Sequence, residues 1–197
     1  MHRGFWASLA TALVAAGLVG LMGSLAQAEK AAPMTVTVGV KGLDKDSGKA
    51  LETALKELES VTDAKADGKG VLVQVKSEKT LKLSDILDAI EAQSTDEKKL
   101  EADEDGVALV GTVAVTVAGA SDDAKVIEAL KSAPNVEKVE GSAGTFQVTF
   151  KGAKGATVGD LLTALKAKVG AAEGAEPPSV EDVAWTAPKG DGDGEHG

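Results

Sequence analysis

The stretch Thr35-Val-Thr-Val-Gly-Val-Lys-Gly42 returns as Thr112-Val-Ala-Val-Thr-Val-Ala-Gly119, and Ser84-Asp-Ile-Leu-Asp-Ala-Ile90 returns as Gly159-Asp-Leu-Leu-Thr-Ala-Leu165. Between these landmarks Leu55, Val61, Val73, Ser84 and Ile90 match Leu130, Val136, Val148, Gly159 and Leu165 at a constant separation. A chain that repeats a unit of this size is expected to build two similar halves, each closing a modest core of its own. The chain has no cysteine and only two histidines, His2 and His196, neither inside a repeat. The repeated unit is therefore a scaffold without the usual soft-metal ligands and without imidazole chemistry.

Hydrophobic periodicity gives the elements of each half. Met34, Val36, Val38 and Val40 alternate with Thr35, Thr37 and Gly39, which is the period of a strand. Ala50, Leu51, Ala54, Leu55 and Leu58 then recur at helical spacing, with Asp46 or Ser47 as N-cap candidates. Strands are expected over 61–66 and from Val71 to Val75, joined by the turn Asp67-Gly-Lys-Gly70. Ser84 is expected to cap a helix through Ile86, Leu87 and Ile90. A charged connector, 94–105, then leads to a last strand, 107–110. The second half repeats the order: a strand at 112–117, a helix capped by Ser121, and strands around Val136–Val139 and Phe146–Phe150. A helix opened by Thr157-x-x-Asp160 and a strand at 180–185 complete it. Strand, helix, strand, strand, helix, strand folds as two interlocked βαβ units. The expected class is α+β: two tandem ferredoxin-like βαββαβ domains, each a four-stranded antiparallel sheet with two helices on one face.

The amino-terminal stretch reads as an export address. Met1-His-Arg3 is a short positive start, Phe5 to Leu25 is largely apolar, and Ala26-Gln-Ala28 is a small-x-small cleavage signal. An uncleaved anchor is the alternative, because the apolar run is long enough to span a bilayer. The expected organisation is a signal peptide at 1–28, domains at 29–110 and 111–187, and an acidic, disordered Gly/Asp tail at 188–197. Export after cleavage at Ala28 implies a periplasmic or secreted protein. Downstream of Arg3 the charge is carried by 20 lysines against 31 Asp plus Glu. Such a surface repels phosphate, which disfavours nucleic acid and, once the signal peptide has gone, anionic membranes.

The second half resembles a heavy-metal-associated (HMA) domain, the small ferredoxin-like module of copper and zinc chaperones and metal-pump tails. The residues are the strand ending at Gly119, Ile127-Glu-Ala-Leu130, Asn135-Val136-Glu-Lys-Val139, Phe146 to Phe150 and Asp160-Leu-Leu-Thr-Ala-Leu165. The first half resembles it through Gly42, Ala54-Leu55, Val61, Val71 to Val75 and Asp85 to Ile90. The resemblance implies a soft-metal site in the loop after the first strand, where the family carries Gly-Met-x-Cys-x-x-Cys. Here those loops read Gly42-Leu-Asp-Lys-Asp-Ser-Gly48 and Gly119-Ala-Ser-Asp-Asp-Ala-Lys125. The two cysteine positions fall on Lys45 and Gly48, and on Asp122 and Lys125. A lysine ammonium cannot ligate Cu(I) and repels a nearby cation.

Other sites are weaker. Asp122 and Asp123 face a helix start, where carboxylates complement the dipole, and Asp44 and Asp46 belong to a turn. Glu101-x-Asp103-x-Asp105-Gly106 imitates the opening of a calcium loop but lacks the closing Glu. Asp191, Asp193, Glu195 and His196 in the tail are the best divalent-ion candidates, without a preformed cage. A Ser-His-Asp or Cys-His arrangement cannot be assembled, because no histidine lies inside either repeat, and for carboxylate-only acid–base chemistry no pair is singled out among the many Asp and Glu. An RNA-recognition motif shares the element order, yet Phe146 and Phe150 lie on the face of Val148 that points to the core. Trp185, matching Leu109, reads as a core or edge residue, and as a partner contact if exposed. The sequence thus suggests a non-enzymatic module with no cofactor, docking an unknown envelope protein. The alternative is a weak divalent-ion binder or metal-trafficking accessory using carboxylates.

Overall fold

The computed structural model describes residues 34–152, 155–169 and 177–187. The signal peptide and the tail residues Asp191, Asp193, Glu195 and His196 lie outside them. The described chain is an α+β fold of antiparallel sheets and four helices.

Alternation becomes burial in the first half. β1 (Met34–Lys41) buries Val36, Val38 and Val40, and leaves Thr35 and Thr37 exposed. α1 (Lys45–Lys56) turns Leu51 and Leu55 inward. β2 (Val61–Ala66) and β3 (Gly70–Val75) form a hairpin whose Val61, Ala64, Val71, Val73 and Val75 join the same core. β4 (Thr80–Lys82) leads directly into α2 (Leu83–Ala92), and β5 (Glu101–Asp103) follows. The first sheet runs β2-β3-β1-β5.

The fourth position in that sheet is filled by a segment expected to be a solvated connector. β5 pairs Glu101, Ala102 and Asp103 with Lys41, Val40 and Gly39. The strand expected at 107–110 is only β6 (Ala108–Leu109), and it pairs elsewhere. Between them a 3₁₀ turn, Glu104–Gly106, crosses β1 with backbones nearly touching: a Cβ on Gly39 would sit 2.8 Å from the Gly106 Cα. Two glycines at the crossing let the chain leave one sheet and enter the next.

The second half has the same succession. β7 (Thr112–Ala118), α3 (Asp123–Ser132), β8 (Val136–Ser142) and β9 (Thr145–Phe150) are followed by β10 (Ala156–Thr157), α4 (Val158–Lys168) and β11 (Ser179–Thr186). Val113, Val115, Phe146, Val148, Leu161, Leu165 and Val183 are buried, as their spacing predicts.

Each half supplies a short strand to the other. The larger sheet runs β4-β11-β7-β9-β8, so one of its two edge strands, β4, comes from the first half. Leu81 lies opposite Trp185, and the Ala187 N–H donates to the Lys79 carbonyl at 3.1 Å. Reciprocally, β10 pairs with β6, with Ala156 opposite Leu109, and the Val158 N–H donates to the Val107 carbonyl at 3.2 Å. Leu109 and Trp185 are matching positions of the repeat. Each is covered by the strand that opens the other half's second helix, and one continuous apolar cluster joins the halves.

Three caps differ from expectation. Asp44, not Asp46 or Ser47, caps α1, and Asp122, not Ser121, caps α3. α2 starts at Leu83, so Ser84 is already inside it, and the Asp85 carboxylate accepts the Lys82 N–H at 3.3 Å.

Candidate functional site

The loops after β1 and β7 are where the sequence resemblance implies a metal site, and both are occupied by helix capping. In the first, Gly42 turns the chain with φ +79°, and a Cβ there would overlap the Lys99 carbonyl oxygen. Asp44 Oδ1 then accepts the N–H groups of Asp46 at 3.1 Å and Ser47 at 2.9 Å, and the Ser47 hydroxyl at 2.8 Å. Ser47 Oγ in turn accepts the Asp44 N–H at 3.0 Å, closing a reciprocal box over the helix start. The second carboxylate oxygen of Asp44 pairs with the Lys98 ammonium. That hydrogen bond from Lys98, with those from Ser47, holds the Asp44 carboxyl well below the usual carboxylate range.

The residues at the family's cysteine positions do not converge. Lys45 is the exposed first residue of α1, while Gly48 is buried, where a Cβ would lie 3.1 Å from the Ala66 Cβ. In the second loop Gly119 has φ +73°. Asp122 Oδ1 accepts the N–H groups of Ala124 at 3.0 Å and Lys125 at 3.2 Å, and the Lys125 ammonium lies 4.0 Å from its other oxygen. Asp123 reaches away to the Ala143 N–H at 2.8 Å. Each carboxylate is thus turned onto backbone N–H groups or a lysine of its own fold.

The calcium-like run is dispersed in the same way. Glu101 pairs with Lys99 at 2.7 Å, and Asp103 with Lys41 at 3.1 Å. The Asp105 carboxylate fills the space a side chain on Gly159 would need, at the first turn of α4. Among the described residues no three His, Cys, Asp or Glu side chains stand together as a metal-holding group.

Sequence reasoning missed one polar contact of consequence. Asp182 on β11 reaches the first turn of α2, accepting the Ser84 N–H at 3.1 Å and the Ser84 hydroxyl at 3.4 Å. Ser84 and Gly159 are matching positions of the repeat, so Asp182 and Asp105 occupy corresponding places at opposite helices. Anions at helix starts are favourable through the unsatisfied N–H groups there. The only signal in the sequence is an Asp inside an otherwise apolar-alternating strand; the register shift between Val180 and Asp182 shows only in the structure. Trp185 is a core residue, with no exposed surface, and its Nε1 meets no acceptor among the protein atoms.

No family model matches the chain, and no curated protein matches it in sequence. Solved structures similar to it include two from Bacillus subtilis. The water-soluble region of the P-type ATPase CopA from Bacillus subtilis aligns at 17% identity and a TM-score of 0.31, covering 77% of this chain and 93% of that one. The N-terminal soluble domains of Bacillus subtilis CopA align at 18% identity and a TM-score of 0.32, covering 77% and 95%. Overlap this low has no weight for function, which is read from the chain's own strand order and loops.

Proposed function

We propose that the chain is an exported, non-enzymatic pair of degenerate HMA-like, ferredoxin-like modules that acts by protein interaction, or as an accessory, in the cell envelope. On this reading residues 1–28 direct export and are removed after Ala28, and the modules are 29–110 and 111–187. They retain the family's framework and have given up thiolate metal binding. The observation behind the reading is the use of both first-strand loops. Asp44 and Asp122 each cap a helix, and a lysine stands at a cysteine position in each loop. The partner on this reading is another envelope protein, and no cofactor takes part.

Native mass spectrometry of the chain with Cu(I), Zn(II) and Ca(II) offered in turn tests this. The expected result is no tight stoichiometric adduct of Cu(I) or Zn(II). An adduct lost on deleting 191–197 would transfer the role to the tail carboxylates and His196. One that persists without the tail would overturn the proposal.

A further inference from the structure

Leu87 lies on the outer side of α2, 39% exposed, and with Leu72 is one of two large apolar side chains left exposed among the described residues. It is not isolated. Leu87, Ile90, Leu100 and Ala102 line a groove of about 900 Å³ between α2 and β5, with Glu91 and Asp96 also in its wall. One border of the groove is the outer edge of β5, the terminal strand of the first sheet, which has a neighbour only on its β1 side. Unpaired strand edges beside an apolar groove are templates for an incoming strand.

The charge around the groove selects the occupant. Its wall carries three carboxylates, Glu91, Asp96 and Glu101, and one lysine, Lys99. Lys99 and Glu101 pair with each other, so Glu91 and Asp96 leave the wall net negative. The register of β5 sets the pattern. Ala102 pairs with Val40, whose side chain is in the core, whereas Glu101 and Asp103 pair with Lys41 and Gly39 on the opposite face. An added strand alternates in the same way. Residues facing the side of Ala102 meet Leu87, Ile90 and Leu100, and the alternate ones run beside Glu101 and Asp103. Each of these two is in a surface ion pair, with Lys99 and Lys41, that an incoming cation would have to share.

We propose that the α2–β5 groove binds an extended, cationic segment of another protein, in which apolar residues alternate with Lys or Arg, by strand addition to β5. This deepens the protein-interaction reading above and rests on it. Basic residues suit this wall because complementary charge speeds encounter and rejects acidic segments.

The test is fluorescence anisotropy of a labelled decapeptide of alternating Lys and Val against the intact chain, with an alternating Glu-Val peptide as the charge control. Saturable binding of the Lys-Val peptide is expected, at least tenfold weaker for Leu87→Ser and for the double change Glu91→Lys with Glu101→Lys. Leu72→Ser, on the other exposed leucine, should leave it unchanged. All these positions are exposed, so the variants are expected to fold, and circular dichroism checks this. Amide exchange at Glu101–Asp103 should slow when peptide binds. No saturable binding, equal binding of the Glu-Val peptide, indifference to Leu87→Ser, or unprotected β5 amides would each overturn the proposal. Photo-crosslinkers at positions 87 and 72, offered envelope proteins, separate the two levels. Partners captured only from position 72 remove the groove and keep the protein-interaction reading, whereas none from either position removes both.

Discussion

Asp182 accepts the backbone N–H of Ser84 at 3.1 Å, so the last strand among the described residues secures the start of a helix that lies 98 residues earlier. The contact ties together what a linear reading separates into successive modules. It also makes the stability of α2 depend on β11.

Asp182→Ala should therefore destabilise the whole chain by about 1 kcal/mol, the usual worth of a helix-capping side chain. Urea unfolding of both proteins measures it. A change in α2 amide exchange at the Ser84 end should accompany it, and an unchanged midpoint would contradict the role given to Asp182.

Trp185 reports on the contact between the halves. It is opposite Leu81 of β4 and Val113 of β7, and has no exposed surface. In a Trp6→Phe background its fluorescence should unfold in the same transition as far-UV dichroism. A fragment beginning at Gly111 lacks β4, and its Trp185 emission should shift to the red. Trp185→Ala should cost about 3–5 kcal/mol, the range for emptying a buried aromatic site. Trp185→Phe should cost less than half of that, because it also removes a buried donor with no protein acceptor.

Acid should weaken the chain in a window set by its paired carboxylates. Asp44 is held low by Lys98 and Ser47, Asp63 by Lys56 and the Ala64 N–H, Glu59 by Lys79, and Glu101 by Lys99. A carboxyl whose folded value is depressed contributes its stabilisation fully above its unfolded value. That contribution fades as the pH falls toward the folded value. Stability should thus drop below about pH 4, the region where free carboxylates titrate. Asp44→Asn should make the drop shallower. Denaturation midpoints followed from pH 7 to pH 2 test this, and parallel curves would refute it.

Gly42→Ala should destabilise by more than about 1 kcal/mol, since the position combines positive φ with overlap on the Lys99 carbonyl. Gly68→Ala has positive φ but open space around it, and should cost less. The ratio of the two, by thermal or urea unfolding, isolates the close approach between the loop and Lys99.

Much of the fold was legible because long strands with one buried face show their period. Val36, Val38 and Val40 and Phe146, Val148 and Phe150 are buried as their alternation requires. β5 was hidden because Glu101-Ala-Asp103 is an edge segment with one small apolar residue and no alternation to read. β4 and β10 are two or three residues long, too short for any periodicity, and their partners lie in the other repeat; the strand expected at 107–110 contains β6 but carries no sign of its pairing with β10. The caps failed locally: Asp44, Asp46 and Ser47 are all good capping residues, and only the backbone shows that Asp44 stands outside the helix. At the candidate site the sequence displayed the lysines at the cysteine positions. It could not display the Asp44–Lys98 pair, which brings the connector after α2 to the loop. The tail candidates Asp191, Asp193, Glu195 and His196 stand outside the described residues.

The exchange of short strands has a mechanical consequence. β11 is held by β7 along most of its length and by β4 at its end, while β1 is held by β3 and then by β5. Both ends of the described chain therefore emerge from interior strands, but a motor seizing the C-terminal end meets two hydrogen-bonded neighbours at once, β7 and β4, whereas one seizing Met34 meets β3 alone until it reaches Gly39. Stretched between its ends in an optical trap, the molecule should yield first at β1, with β11 holding until β4 and β7 release together. A lag before the second yield, shortened by Asp182→Ala, would be the signature of that double grip.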